Sequence, residues 1–500
     1  MNISIIRRIL GYVLLLEAAL LLVPCFVGIV YHEKESLAYL ITAAICLAVG
    51  TIIGIKKPKN TVFYLKDGCV ATALSWIVLS LFGCLPFMIT KEIPRFIDAM
   101  FETVSGFTTT GTTILNDVEI ISHASLIWRS LTHWVGGMGV LVFLMAVVPL
   151  SGGSNINLMK AESPGPSVGK IVPKMKQTAR WLYYIYVGLT LGEVVFLLFG
   201  GVSVFEAFAT ATATAGTGGF GVKNSSIGGY SPYVQWVVTA FMILFGINFN
   251  AYYFVIMRQF KKAFAIEEIR FYIGTIVVSS LIIFINIFKM YPTASKSIRH
   301  SFFQVAAIIT TTGFTTTDFD QWPSNAKTIL VFLMFVGACA GSTGGGIKIS
   351  RYIIAVKSVG REIKSFLHPK SVNKVKMDSK IVDRDVIRTT NIYFITFAIV
   401  FVVSLLLVSI EGRDLTSNFT AVASEMNNIG PGLSTAGATE NFSSFTVLSK
   451  CVFIFDMLAG RLELFPMLML FHPVLWKDTV KQSVNDVKKK KRLSKKQEAE

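Results

Sequence analysis

Four stretches of this chain place small or hydroxylated side chains and a glycine at the end of a short apolar segment. They read SGFTTTGTT, TATAGTGGF, IITTTGFTTT and EMNNIGPG, and their glycines are Gly111, Gly218, Gly313 and Gly430. Glycine permits backbone angles that turn successive carbonyl groups toward one axis. A ring of backbone carbonyls can replace the hydration shell of a monovalent cation. We therefore interpret the stretches as a cation site rather than an anion site, since none contains a basic residue.

Glycines in membrane helices often serve close helix packing, and that reading would suffice for one such stretch. Four copies at the same place in a recurring unit favour a shared pore instead. Non-helical backbone at membrane depth is tolerated where it is buried in protein or lines a water-filled path. Four unequal copies in one chain predict a single pseudo-fourfold pore.

The elements that must position these loops are membrane helices. The chain has 500 residues, of which 53% are hydrophobic and 15% charged, with a mean hydropathy of +0.60. Soluble domains carry about 25% charged residues, so a large soluble protein is disfavoured. The formal net charge of +17 could indicate nucleic acid, but the basic residues cluster in alternate loops, as the positive-inside rule predicts. The six scattered cysteines indicate neither a metal site nor a disulfide framework. The basic, apolar N-terminus lacks a small-residue cleavage site and is interpreted as a retained first span.

The apolar segments repeat in the order span, short segment, span. The short segments have about 10–12 residues and would cross only about half of a ~30 Å hydrocarbon core. If they enter and leave on one side, all basic loops fall on the same side, including 160–180, 258–262, 356–388 and the tail. The loop KKPK at 56–59 belongs to the same basic side. The sequence thus predicts an all-α integral membrane protein with ten spans, four re-entrant loops and both termini in the cytoplasm. Two of the long spans are expected over about 124–150 and 232–257. The predicted units are two N-terminal helices in 1–60, four repeats in 61–160, 161–262, 263–370 and 371–478, and a basic tail in 479–500.

GACAGSTGGGIK, residues 337–348, interrupts the long span that begins near residue 326. Consecutive glycines should break a helix there. A phosphate loop is disfavoured because that motif needs GK followed by Ser or Thr. An enzyme acting on a nucleotide is therefore a weak alternative, and no carboxylate–histidine cluster accompanies the loop. A packing kink and a flexible plug beneath the pore remain open.

Arg461 lies in the predicted last span, near 446–472. A charge inside a membrane span is costly and indicates function by default. Asp456 and Glu463 stand at i−5 and i+2, so a same-face ion pair is not expected. A structural bond to carbonyls is the alternative. Glu102, Glu206 and Glu425 lie near the short segments, where they either concentrate cations or satisfy backbone, and the sequence does not separate these roles.

The chain resembles the TrkH/TrkG/KtrB superfamily of potassium transporters over nearly its whole length. The stretches that carry the resemblance are WRSLTHWVGGMGVLVF, AESPGP, QVAAIITTTGFTTTDFDQWP, GACAGSTGGGIK, NNIGPGL and AGRLELFPMLMLF. The two additional N-terminal spans are similar to the TrkH and TrkG branches. The resemblance implies four M1–P–M2 repeats, uptake of K⁺ across a bacterial inner membrane, a homodimer, and a cytosolic TrkA-type subunit that binds NAD(H) or ATP. It implies no organic cofactor and no nucleic-acid partner.

The resemblance also implies roles for individual residues. In the filter these are Thr109, Thr110, Gly111, Thr217, Gly218, Thr311, Thr312, Gly313, Asn428, Ile429 and Gly430, and in the gate Gly341, Ser342, Thr343, Gly344, Gly345, Gly346 and Arg461. Arg461 is expected to repel cations and to contact the gate loop when closed. In related plant transporters a serine at the first filter glycine accompanies Na⁺ preference, so Gly111 favours K⁺. The second loop is the most glycine-rich, and its register is open. A Na⁺-permeable or mixed K⁺/Na⁺ transporter is the alternative, and coupling of the flux to H⁺ or Na⁺ stays open.

Overall fold

The computed structural model describes residues 1–56, 63–139, 175–371, 373–475 and 477, with side chains from residue 181 onward in the third range. The predicted basic loops KKPK and 160–180, the second half of the span near 124–150 and the tail 479–500 lie wholly or mostly outside these residues. Helices dominate the described chain. In order they are α1 Ile3–Val30, α2 Ser36–Gly54, α3 Leu65–Gly83, α4 Leu85–Thr90, α5 Phe96–Phe107, α6 His123–Met138, α7 Met175–Phe199, α8 Val204–Gly216, α9 Pro232–Phe245, α10 Phe249–Ile256, α11 Phe260–Ala265, α12 Glu267–Ile287, α13 Ala294–Ile309, α14 Ser324–Val336, α15 Ile349–Leu367, α16 Arg384–Ser409, α17 Leu415–Asn427, α18 Val447–Arg461 and α19 Phe465–Leu470.

Short elements complete the fold. Three 3₁₀ turns cover Phe319–Gln321, Ser434–Ala436 and Phe442–Ser444. A small antiparallel hairpin pairs β1 (Lys376–Met377) with β2 (Lys380–Ile381). This hairpin is a minor departure from the all-α prediction, and it lies in the basic segment that follows α15.

The two N-terminal helices form a tightly packed hairpin. A Cβ added at Gly11 in α1 would lie 2.7 Å from the Cα of Gly54 in α2. Small residues let membrane helices approach this closely. Close packing of this kind stabilises membrane helices, because moving apolar side chains out of lipid contributes little. α1 also packs on α3 and α6, so the hairpin is part of the same body as the loops described below.

Six described helices are long and apolar enough to cross a membrane: Ile3–Val30, Ser36–Gly54, Leu65–Thr90, Trp181–Phe199, Glu267–Ile287 and Arg384–Ser409. α9 and α10 make a seventh if counted together, but they are bent by 93°. The long span expected over 232–257 is therefore interrupted by this bend. The expected span near 446–472 is also interrupted, because α18 ends at Arg461 and the next residues turn with positive φ at Glu463 (+53°) and Leu464 (+69°).

The helices that lead into the four glycine-containing loops are too short to cross a membrane. They are α5, α8, α13 and α17, with 12, 13, 16 and 13 residues. Three of them begin at side-chain N-caps, namely Ser203, Thr293 and Asp414. Such caps satisfy backbone N–H groups that the first helical turn leaves unpaired. Their C-terminal ends carry partial negative charge and lead into the four glycine-containing loops.

Candidate functional site

The four short helices end in the same local geometry. One or two residues beyond the end of each helix, the backbone is left-handed. The φ values are +57° at Thr109, +57° at Thr217, +58° at Thr311 and +56° at Asn428. The N–H of this residue and the next N–H both bond back to the last helical turn, as in Thr109 N to Gly106 O (3.1 Å) and Thr110 N to Ser105 O (2.9 Å). This pair of bonds is a Schellman ending. Threonine seldom adopts a left-handed backbone, so the surroundings must hold it there, as at many functional sites.

A glycine with positive φ follows two residues later in each loop. The four are Gly111 (+84°), Gly219 (+80°), Gly313 (+74°) and Gly430 (+105°). Grouping Gly218 with the other three loop glycines is therefore a register error of one residue. Gly218 instead occupies the middle position, equivalent to Thr110, Thr312 and Ile429. Gly219 was missed because the second loop, AGTGGF, offers several glycines with nothing local to distinguish them.

The loops contact one another in cyclic order. A Cβ at Gly111 would lie 1.9 Å from the carbonyl oxygen of Gly218, and one at Gly219 would lie 2.0 Å from that of Thr312. A Cβ at Gly313 would lie 2.0 Å from the carbonyl oxygen of Ile429. The circle closes at Gly430, whose Cβ would lie 2.8 Å from the carbonyl oxygen of Thr110. The four loops thus form a closed ring, and only glycine fits at each junction.

The middle carbonyls of this ring receive no hydrogen bond from the residues that the structure describes. In the described part of the chain, no hydrogen bond reaches the carbonyl oxygens of Thr110, Gly218, Thr312 or Ile429. Buried carbonyls are normally paired. The neighbouring side chains bond to each other instead: the Thr108 and Thr110 hydroxyls are 2.8 Å apart, and the Thr310 and Thr312 hydroxyls 2.7 Å. Four unpaired carbonyls in one ring are chemically suited to a cation stripped of water.

His133 in α6 links the first and second loops. Its Nδ1 donates to Gly106 O at 2.7 Å, and its Nε2 accepts from Phe220 N at 3.3 Å. A Cβ at Gly218 would lie 2.2 Å from this imidazole ring. The histidine therefore explains the glycine at the second middle position. The sequence drew attention to the segment WRSLTHWVGG without identifying this role.

Glu102 supports the first loop from behind. Its carboxylate accepts from Arg129 Nε at 2.8 Å, from the Thr113 hydroxyl at 3.0 Å and from Ile114 N at 3.0 Å. The pair is almost fully buried, and the Arg129 guanidinium also stacks 4.0 Å from the Phe220 ring centre. Of the two alternatives for this glutamate, satisfaction of the backbone is the one that the contacts favour.

The other two glutamates differ from Glu102. Glu206 pairs with Lys223 at 3.2 Å and is partly exposed. Glu425 is buried and accepts from the Thr112 hydroxyl at 3.0 Å, which ties the fourth short helix to the first loop.

Residues 337–348 form a non-helical loop between α14 and α15, as the run of glycines predicts. Positive φ occurs at Gly337 (+73°), Gly341 (+72°) and Gly346 (+71°). The loop lies against the ring: Gly345 N donates to the Thr311 hydroxyl at 2.6 Å. A Cβ at Gly345 would lie 2.9 Å from Asn427 O. We call residues 337–348 the ring-facing loop.

Arg461 is the last residue of α18, and it reaches the ring-facing loop. Its guanidinium donates to Thr343 O at 3.0 Å, to Gly136 O at 2.5 Å and to Gly137 O at 2.9 Å. The predicted contact with the loop is present, and so are the carbonyl bonds of the alternative reading. Its neighbours in sequence bond elsewhere, because Asp456 accepts from Ser404 and Glu463 pairs with Arg351.

A cavity of about 100 Å³ adjoins these groups. Its lining includes Trp76, Gly139, Lys348, Arg461 and residues 340–346. The ring-facing loop therefore contacts the ring through Gly345 and also lines this cavity.

Comparison with known proteins identifies relatives over nearly the whole chain. The profile of the TrkH family, described as a cation transport protein, matches residues 35–482. The Trk system potassium uptake protein TrkH of Escherichia coli K12 is 34% identical over 487 residues, which cover 96% of this chain and 100% of that protein. TrkG of the same strain is 33% identical over 489 residues, with coverage of 95% and 99%. The crystal structure of the potassium transporter TrkH from Vibrio parahaemolyticus superposes with a TM-score of 0.85 at 31% identity, covering 95% of this chain and 100% of that one.

Fold and sequence define a multi-pass helical membrane protein that transports cations and is not an enzyme. The chain belongs to the TrkH family of cation transport proteins. The resemblance inferred from the motifs is thereby confirmed.

Proposed function

We propose that this chain takes up K⁺ through the ring of loop carbonyls. The observation that carries the proposal is the set of four buried middle carbonyls that no described residue donates to, in a ring closed by glycine contacts. K⁺ channels use rings of backbone carbonyls in this way. The proposed filter residues are those predicted from the sequence, with Gly219 added in the second loop.

The proposed architecture is four M1–P–M2 repeats around this ring, with α1 and α2 outside them. In this assignment α5, α8, α13 and α17 are the pore helices. The shared Schellman ending and the cyclic contacts support it, because unrelated loops would not share both. The predicted repeat boundaries at 160 and 161 fall outside the described residues.

We favour K⁺ over Na⁺ as the transported ion because similar proteins from several bacteria are named potassium uptake proteins. A Na⁺-permeable or mixed transporter is the second candidate. The test is the reversal potential of the purified chain in a planar bilayer with K⁺ on one side and Na⁺ on the other. A value near the K⁺ equilibrium potential supports the proposal. A value near zero with measurable current favours the mixed transporter, and the absence of any cation current refutes both.

The ring-facing loop is the proposed gate, with Gly341 to Gly346 as its moving part and Arg461 as its anchor. Three guanidinium bonds hold Thr343 to α6 through Arg461. Arg461→Ala is expected to raise the K⁺ leak in the absence of any partner, because the loop loses this anchor and its positive charge. Arg413→Ala is the matched control, since Arg413 bonds to Glu411 and Ser444 in a different region. An unchanged leak in Arg461→Ala would exclude the gating role.

The remaining assignments concern assembly and location. We assign the chain to the bacterial inner membrane with both termini in the cytoplasm, as a homodimer regulated by a cytosolic subunit that binds NAD(H) or ATP. The name of the similar proteins as members of a Trk system supports a multi-component assembly. The basic segment 356–388 either docks that subunit or sets topology. Co-purification of a chain with the basic residues of 361–374 neutralised would separate the two, because only docking requires them for binding.

A further inference from the structure

Three consecutive carbonyls of the ring-facing loop accept hydrogen bonds from cationic side chains. Arg461 donates to Thr343 O at 3.0 Å. The Lys348 ammonium donates to Gly344 O and, at 3.1 Å, to Gly345 O. A non-helical stretch at membrane depth must have its carbonyls satisfied by some donor. Here Arg461 supplies it from another helix, and Lys348 supplies it from the end of the loop itself.

Lys348 is an unusual residue for this position. Its exposed fraction is 9%, and its backbone φ is +77°. Among the residues that the structure describes, Lys348 forms no ion pair. Glu463 pairs with Arg351, and the nearby Glu268 accepts from Ala340 N and Ser350 N. Glu463 and Glu268 lie close enough to favour the ammonium's charge, but neither bonds to it directly. Burying an ammonium costs several kcal/mol in lost hydration, so the two carbonyl bonds are the direct contacts that offset this cost.

The Lys348 ammonium is linked to the ring through one residue and lies beside the cavity. The carbonyl that it binds at Gly345 belongs to the residue whose N–H donates to Thr311 in the ring. Lys348 lines the cavity next to the loop together with Arg461. Backbone carbonyls are ligands for monovalent cations, and an ammonium bonded to them presents the same charge as a permeating ion.

We propose that Lys348 is a tethered cation that fills a carbonyl site in the ring-facing loop and keeps that loop compact beneath the ring. The site is made by the Gly344 and Gly345 carbonyls, and its ligand is the protein's own ammonium. When the ammonium withdraws, the loop loses two bonds and can move aside. The gating consequence rests on the proposed function, whereas the effect on the loop does not.

The test compares Lys348→Met, which removes the charge and keeps the apolar stem, with Lys348→Arg, which keeps a cationic donor. Lys357→Met is the matched control, because Lys357 in α15 bonds to Glu267 and to Lys376 O outside the cavity. The readout is Rb⁺ influx into proteoliposomes without any partner protein. Lys348→Met is expected to raise the basal influx by about tenfold or more, the effect of losing bonds to a charged group. Lys357→Met should match the unsubstituted chain, and Lys348→Arg should remain well below Lys348→Met.

A second readout needs no ion flux. In a Ser342→Cys background, the rate of modification by a small thiol reagent is measured at residue 342 by mass spectrometry, with buried Cys46 in α2, outside the loop, as the internal reference. Lys348→Met is expected to speed modification relative to Lys348→Arg and Lys357→Met. Equal modification rates in all variants would overturn the proposal, even if the chain conducts K⁺.

Two further outcomes separate the tether from K⁺ conduction and from misfolding. If the unsubstituted chain conducts no K⁺ while Lys348→Met still speeds modification, the proposed function fails and the tether stands. If Lys348→Met does not fold, Lys348→Gln replaces it, because it keeps N–H donors and loses the charge. Faster modification in Lys348→Gln supports a tethered cation, and an unchanged rate refutes it.

Discussion

The ring geometry predicts that Gly219, rather than Gly218 alone, is essential in the second loop. The perturbation is Gly219→Ala, and the matched control is Gly201→Ala in the turn between α7 and α8. Both glycines have a left-handed backbone, with φ of +80° and +75°. They differ in space, because a Cβ at Gly219 would lie 2.0 Å from Thr312 O whereas one at Gly201 would have nothing within 4 Å.

The magnitude follows from these two facts. An L-residue in the left-handed region costs about 1–2 kcal/mol, and this cost applies to both variants. In Gly219→Ala the new Cβ must also move away from Thr312 O. The distance between them must grow by about 1.4 Å, from 2.0 Å to the 3.4 Å of ordinary van der Waals contact. Overpacking of this kind costs about 1–3 kcal/mol. We therefore expect a loss of about 2–5 kcal/mol in Gly219→Ala and about 1–2 kcal/mol in Gly201→Ala.

The assay has two parts. Thermal unfolding in detergent compares the stability of both variants, and the bilayer reversal potential compares their K⁺ selectivity. Gly219→Ala is expected to lose selectivity because the displaced carbonyl belongs to the ring, whereas Gly201→Ala should keep it. If both variants show the same unfolding temperature and the same reversal potential, the assignment of Gly219 to the ring junction is wrong.

Other predictions concern the supports of the ring. Glu102→Gln leaves the buried Arg129 without its carboxylate, and unfolding measurements should show a loss of about 3–5 kcal/mol; the partly exposed Glu206→Gln should change stability by about 1 kcal/mol or less. Asp414 caps the fourth short helix and lies outside the candidate membrane spans. Hydrogen bonds from the Ser417 hydroxyl and N–H lower its pKa. Because the folded-state pKa is lowered, this carboxylate adds stability above the ordinary aspartate pKa of about 3.9, and the contribution is lost as pH falls through the lower folded value. Unfolding curves at acid pH should show this loss in the unsubstituted chain and less of it in Asp414→Asn, while an identical pH dependence in both would refute the role.

Local patterns in the sequence determined the protein class and several parts of the candidate site. Apolar segments and basic loops indicated a multi-pass membrane protein, and the short segments before TTTG and NNIG correspond to α5, α13 and α17 with the expected loop register. The break at 337–348 was also predictable, because consecutive glycines disfavour a helix whatever surrounds them. Arg461 was identified because a charge in an apolar segment is costly in any fold.

Only the tertiary structure decided the features that depend on contacts between distant segments. The register of the second loop depends on His133, which fills the space beside Gly218 from another helix and leaves Gly219 to meet Thr312. The 93° bend between α9 and α10 accompanies the docking of the ring-facing loop, since Phe249 N donates to Gly341 O at 2.9 Å and Cys339 N to Gly246 O at 3.1 Å. The Lys348 ammonium binds two loop carbonyls, and no local pattern in the sequence predicts these partners. Backbone preference is a local property that one stretch of sequence carries, whereas the space left for a side chain and the donor that reaches a carbonyl are set by residues far away in the chain.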